Sequence, residues 1–87
     1  MNARVPQTWI PVQVKPGLFD TEYAVFITLK DGNCVSLYAD KSIVQQKGSD
    51  HFLKVYLVNR FPDLQKQRVL LPSETFETMS RWVEVPY

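Results

Sequence analysis

The stretch Glu22–Tyr38, "EYAVFITLKDGNCVSLY", alternates apolar and polar residues on both sides of Asp31-Gly32. Period-two alternation marks a strand with one buried face, and Asp-Gly between two such runs marks a hairpin. Two registers compete. A two-residue loop pairs Thr28 with Val35 and Ile27 with Ser36, mixing core with wet residues. A three-residue loop, Lys30-Asp31-Gly32, pairs Leu29 with Asn33, Ile27 with Val35 and Val25 with Leu37. It also sets Thr28 beside Cys34 and Phe26 beside Ser36, and leaves Gly32 where a G1 bulge needs positive φ. A slip of one residue turns every side chain over, so the pattern selects the three-residue loop. The expected core face is Val25, Ile27, Leu29, Val35 and Leu37. The opposite face carries Ala24, Phe26, Thr28, Cys34, Ser36 and Tyr38.

Upstream, "WIPVQVK" (Trp9 to Lys15) puts Ile10, Val12 and Val14 on one face and Trp9, Gln13 and Lys15 on the other. Pro11 cannot donate a ladder hydrogen bond, which predicts an edge strand or a bulge. Residues 1–8 read as a loose arm, and Pro16-Gly17 as a turn. Downstream, Ser42 to Gln45 fits a short strand or a single turn, and "QQKGSDH" a polar loop centred on Gly48. "FLKVYLVNR" (Phe52 to Arg60) is a strand with Leu53, Val55 and Leu57 opposite Phe52, Lys54, Tyr56 and Val58. Both faces are apolar enough to leave the inward one open. "QRVLLP" predicts a strand with Val69 and Leu71 inward. "PSETFETMS" predicts one helical turn capped by Ser73 and packed through Phe76 and Met79. "RWVEVPY" closes as a strand, with Val83 and Val85 opposite Trp82 and Glu84.

Short strands separated by turn residues, with no internal repeat or linker, imply one all-β domain over residues 1–87. The expected architecture is a small, partly open barrel of five or six strands with one short helical turn before the last. This order resembles SH3-like small barrels in architecture alone. The acidic-aromatic and paired-tryptophan motifs of peptide-binding SH3 domains are absent, so the resemblance carries no proline-peptide function.

Composition narrows the function classes. The chain has 87 residues, of which 45% are hydrophobic and 22% charged, as in ordinary globular domains. Ten Lys and Arg face nine Asp and Glu, so no long-range field steers the chain to nucleic acid or an anionic membrane. Cys34 is the one cysteine, which excludes an internal disulfide or a thiolate metal cage. The apolar runs are too short for a signal peptide or a membrane span. The expectation is a soluble, cytoplasmic domain without metal or cofactor.

The parts for catalysis are few. His51 sits in "GSDHF" and reads as an exposed loop histidine rather than a general base. Cys34 reads as a small packing residue rather than an activated thiol. Asp20 and Glu22 read as solvated loop charges. There is no GxSxG, glycine-rich phosphate loop or HExxH, and the chain reads as non-catalytic.

Binding is better represented. The 2 Trp, 4 Tyr and 5 Phe exceed what one small core needs, and large amphipathic side chains are enriched at interfaces. Phe26 and Tyr38 on the second hairpin face, with Trp9 and Trp82, are the candidates for docking another protein or a second copy of the chain. A covering by the helical turn or the amino-terminal arm is the structural alternative. Single-stranded RNA or DNA is the alternative partner. Phe52, Lys54, Tyr56, Arg60, Lys66 and Arg68 would then form a basic-aromatic face, since small barrels stack bases on aromatics and hold phosphates with nearby cations.

Overall fold

The computed structural model describes residues 6–87. Seven strands follow one another: β1 (Gln7–Pro16), β2 (Glu22–Thr28), β3 (Cys34–Asp40), β4 (Val44–Lys47), β5 (Asp50–Phe61), β6 (Lys66–Leu70) and β7 (Trp82–Pro86). All pairings are antiparallel, in the order β3-β2-β1-β5-β6-β7, with β4 flanking β5 ahead of β6. The sheet curls into an open half-barrel.

The β2–β3 hairpin has the three-residue loop. Val25 faces Leu37, Ile27 faces Val35 and Thr28 faces Cys34. The Leu29 N–H donates to the Asn33 carbonyl at 2.7 Å, and the Gly32 N–H to the Leu29 carbonyl at 3.0 Å. Gly32 takes φ +90°, the left-handed region the bulge requires. The Asp31 carboxylate accepts from both the backbone and the side-chain nitrogen of Asn33.

Pro11 does not put β1 at an edge of the sheet. β1 changes partners along its length, pairing residues 7–12 with β5 and residues 13–16 with β2. The Leu57 N–H donates to the Pro6 carbonyl at 2.8 Å. Antiparallel bonding alternates by two residues, so Thr8, Ile10 and Val12 bond β5 while Gln7, Trp9 and Pro11 turn their backbone groups the other way. Pro11 therefore loses no ladder bond, and β2 leaves the sheet just where it would need one. The strand is shared by two sheet segments, which is how a sheet turns a corner.

The core lines the concave side: Ile10, Val25, Ile27, Val35, Leu37, Leu53, Val55, Val69, Leu71, Val83 and Val85 are buried, with Leu29 and Leu57 packed against them. The inward face of β5 is thus Leu53, Val55 and Leu57. Between Leu57 and Asn59 the β5–β6 register shifts. Val58 is left unpaired as a bulge, and the residues beyond it exchange faces.

Several expectations are corrected. There are seven strands rather than five or six, because Lys41–Ile43 forms a 3₁₀ turn and β4 then follows it. "QQKGSDH" holds a two-residue hairpin, with Lys47 opposite Asp50 and Gly48 at φ +62°, which fits a type II′ turn. Residues 73–80 form no helix. One α-turn closes there, with Met79 N–H donating to the Thr75 carbonyl at 2.8 Å. Thr75 is the buried residue, while Phe76 and Met79 are exposed. The Thr75 hydroxyl meets that of Thr78 at 2.6 Å and accepts from its N–H, so a polar pivot holds the turn. Of the expected loose arm, residues 1–5 lie outside the described residues, whereas Gln7 and Thr8 are already strand.

A Cβ at Gly32 would meet nothing within 4 Å, so its φ alone sets the cost of a side chain. Gly32→Ala is expected to destabilise the protein by about 1–2 kcal/mol, read from denaturant midpoints. Gly32→Asn should lose less, because Asn tolerates the left-handed region. Equal stability of all three would overturn the turn assignment.

Candidate functional site

Outward-facing residues on adjacent strands form rows across the convex side of the sheet. Tyr56 lies between Gln7 and Leu70, and Leu70 lies beside Trp82. One step along, Trp9 faces Lys54; beyond it Pro11 and Gln45 flank Phe52. Trp9, Tyr56 and Trp82 are 41%, 37% and 57% exposed. Trp9 and Trp82 therefore share a face, and Tyr56 and Leu70 stand between them. Leu70 was missed from sequence, although it had to point outward once Val69 and Leu71 pointed in.

The other two protein-binding candidates lie further round the curl. Phe26 is flanked by Gln13 and Ser36, half-buried, with the Lys15 ammonium 5.5 Å above its ring. Tyr38 meets the Phe76 ring edge-on at 5.4 Å. The turn over residues 73–80 thus covers this part of the hairpin. The Phe76 N–H donates to the Ser36 carbonyl, and Glu77 accepts from the Ser36 N–H and hydroxyl, both at 2.6 Å. Odd residues of β3 bond β2, so Ser36 sits on the open edge of the sheet. The turn ties off that edge.

The cations of the expected nucleic-acid face do not act together. Phe52, Lys54 and Tyr56 do point outward. Lys66 and Arg68 share their side of the sheet, but both are bonded to Glu84, at 3.3 and 3.0 Å. Arg68 first, and Lys66 second, hold the Glu84 carboxyl below the usual range. The two cations also lie over the Phe61 ring. Arg60 follows the Val58 bulge and faces the other side. It donates to Gln67, a buried residue on the concave face, and stacks 4.4 Å over Tyr87. Nothing in the sequence flagged the bulge, and Glu84 had been placed only by strand parity.

The residues weighed for chemistry are dispersed. Cys34 is exposed on β3. His51 is in β5 rather than a loop, half-buried, with its ring edge-on to Tyr23 at 6.0 Å. Asp20 lies in the β1–β2 connection, and Glu22 opens β2 opposite Asp40. Where β1 and β2 part, a cleft of ≈ 250 Å³ opens between Ile10, Pro11, Phe26, Thr28, Val85 and Pro86.

Comparison with protein-family models, curated proteins and solved structures finds no match to this chain.

Glu77 is ionised in its bond to Ser36, which holds its carboxyl below the ordinary glutamate value. The unfolded chain has no such bond. The contribution is therefore whole above the unfolded pKa and lost as pH falls through the depressed folded one. The Ser36 amide resonance should titrate with a midpoint below the ordinary glutamate range, and Glu77→Gln should abolish that titration. An unperturbed midpoint in the wild type would remove the edge bond.

Proposed function

We propose that the protein is a non-catalytic binding module that docks another protein on its convex face, around Trp9, Tyr56, Leu70 and Trp82. The observation that carries this reading is the contiguous run of large side chains across neighbouring strands, with Trp9, Tyr56 and Trp82 exposed around a half-buried Leu70, whereas exposed apolar residues such as Leu18, Phe19 and Leu64 lie in turns and connections. Aromatic side chains on a rigid sheet lose little conformational freedom on binding, and interface energy concentrates on such residues. Lys54 stands among them without an ion-pair partner among the described residues and would add charge selectivity at the rim.

Single-stranded nucleic acid is the second reading, favoured by the outward Phe52, Lys54 and Tyr56. Against it count the pairing of Lys66 and Arg68 with Glu84, which halves their net charge, and the turn of Arg60 to the opposite side. Among the described residues a strand of phosphates would meet a net charge of about +2 there, from Lys54 and from the cluster of Lys66, Arg68 and Glu84, too little for the counterion release that drives such binding.

A benzophenone side chain substituted at Trp82 should cross-link one dominant protein partner in native extract. Trp9→Ala and Tyr56→Ala should weaken that capture about tenfold or more, while shifting stability by no more than about 0.5–1 kcal/mol. Capture unaffected by either substitution would sink the protein-docking reading. Amide shifts over residues 52–68 on titration with short RNA or DNA, fading as salt rises, would replace it with the nucleic-acid one.

A further inference from the structure

Among the described residues, strand β1 has an unpaired stretch of edge. Its odd residues bond β2 only from Gln13 onward, opposite Phe26. Before that point the backbone groups of Gln7, Trp9 and Pro11 face the gap left by β2, as the alternation set by the Leu57–Pro6 bond requires. The gap therefore presents two N–H donors, from Gln7 and Trp9, and three carbonyl acceptors. At this edge opens the cleft walled by Ile10, Phe26 and Val85.

We infer that this seam takes up an extended segment of a protein partner as an added β-strand, with an apolar side chain in the cleft and acidic side chains outward. The inference rests on the protein-docking reading and specifies how such a partner is held. Row-wise backbone bonds supply affinity in strand addition, and pockets for alternate side chains supply selectivity. Three other edges remain: that of β4, which pairs β5 alone, is only four residues long, and those of β3 and β7 are partly engaged. On β3, Ser36 is bonded to the turn over residues 73–80. On β7, the Trp82 N–H donates to the Ser80 hydroxyl, the Glu84 carbonyl accepts from the Lys30 N–H, and Pro86 has no N–H.

Charge identifies the outward side chains. Lys15 lies over Phe26, a wall of the cleft, and Lys54 is the cross-strand neighbour of Trp9. Among the described residues neither is in an ion pair, while the nearby Glu84 is held by Lys66 and Arg68. The rim of the seam is thus basic, and a segment alternating aliphatic and acidic residues complements it on both faces.

The test uses ¹⁵N-labelled protein and three capped peptides. One alternates Val and Asp; the second has Lys in place of Asp; the third is the first with alternate backbone nitrogens methylated. The Val-Asp peptide should shift the amides of Gln7, Trp9 and Gln13 and slow exchange of the Trp9 amide. The Lys peptide, and Lys15→Glu against the Asp peptide, should each bind about tenfold more weakly. The methylated peptide should not bind, because it cannot form the ladder. Equal binding of the methylated peptide, or shifts away from the seam, or none, would overturn the inference. So would Trp9 protection that grows with protein concentration alone, which would assign the seam to a second copy of the chain. Leu64→Ala, at an exposed residue of the β5–β6 connection outside both surfaces, should leave peptide binding unchanged. If the peptide fails while cross-linking through Trp82 persists, the seam falls and the docking face stands; the reverse result removes the docking face alone.

Discussion

One strand serves two neighbours, and much of the molecule follows from that. β1 bonds β5 through its even residues early on and β2 through its odd residues later. No strand can do this in a flat sheet without leaving part of each edge bare. The sheet therefore curls, its concave side closes over the aliphatic core, and β2 swings away toward β7. The Lys30 N–H reaches the Glu84 carbonyl at 2.9 Å across the mouth. Pro11 sits at the transfer point, where a missing N–H costs nothing. Elsewhere in the same strand it would remove a ladder bond.

Local chemistry made much of this legible. The hairpin register follows from Val25, Ile27, Val35 and Leu37 needing one face and Gly32 needing positive φ. The faces of β1, β6 and β7 follow from alternation alone. What sequence could not supply is non-local. Pro11 pointed to an edge strand or a bulge, and nothing in "WIPVQVK" says that β1 instead lies between β2 and β5 and is bare on one side only along its early half. The face of β5 was undecided because Phe52 and Tyr56 are as apolar as Leu53 and Leu57, and only packing against the other strands chooses. The segment after Pro72 was misread because Phe76 and Met79 are the large apolar residues there. The turn is instead built on Thr75, whose hydroxyl bonds are invisible to a hydrophobic pattern.

The candidate surface shows the same division. Trp9, Tyr56 and Trp82 were each visible as amphipathic residues on outward positions. Their assembly on one face depends on the sheet order, which brings β6 between β5 and β7. The basic-aromatic reading looked coherent in sequence because Lys54, Arg60, Lys66 and Arg68 lie within one short span. A single bulge at Val58 sends Arg60 to the other side, and one carboxylate on a distant strand engages two of the remaining three. Charge counted along a chain is a poor guide to charge presented on a sheet when bulges and cross-strand pairs intervene.

Edges are where sheet proteins become sticky, and this one treats its edges unequally. β3 is tied off by a turn that contributes a backbone N–H and a carboxylate to Ser36. β7 is short, carries Pro86 and lends its Glu84 carbonyl to Lys30. Both are ways of denying an incoming strand its partners. The early half of β1 has only Pro11, which removes one donor of three. A fold that engages two edges by separate means, keeps the β4 edge to four residues, and leaves the β1 edge beside an apolar cleft, a tryptophan and a lysine outside any ion pair among the described residues has its contact points concentrated. The curl that exposes that edge is the same curl that buries the core, so the opening cannot be closed without giving up the shared strand on which the barrel is built.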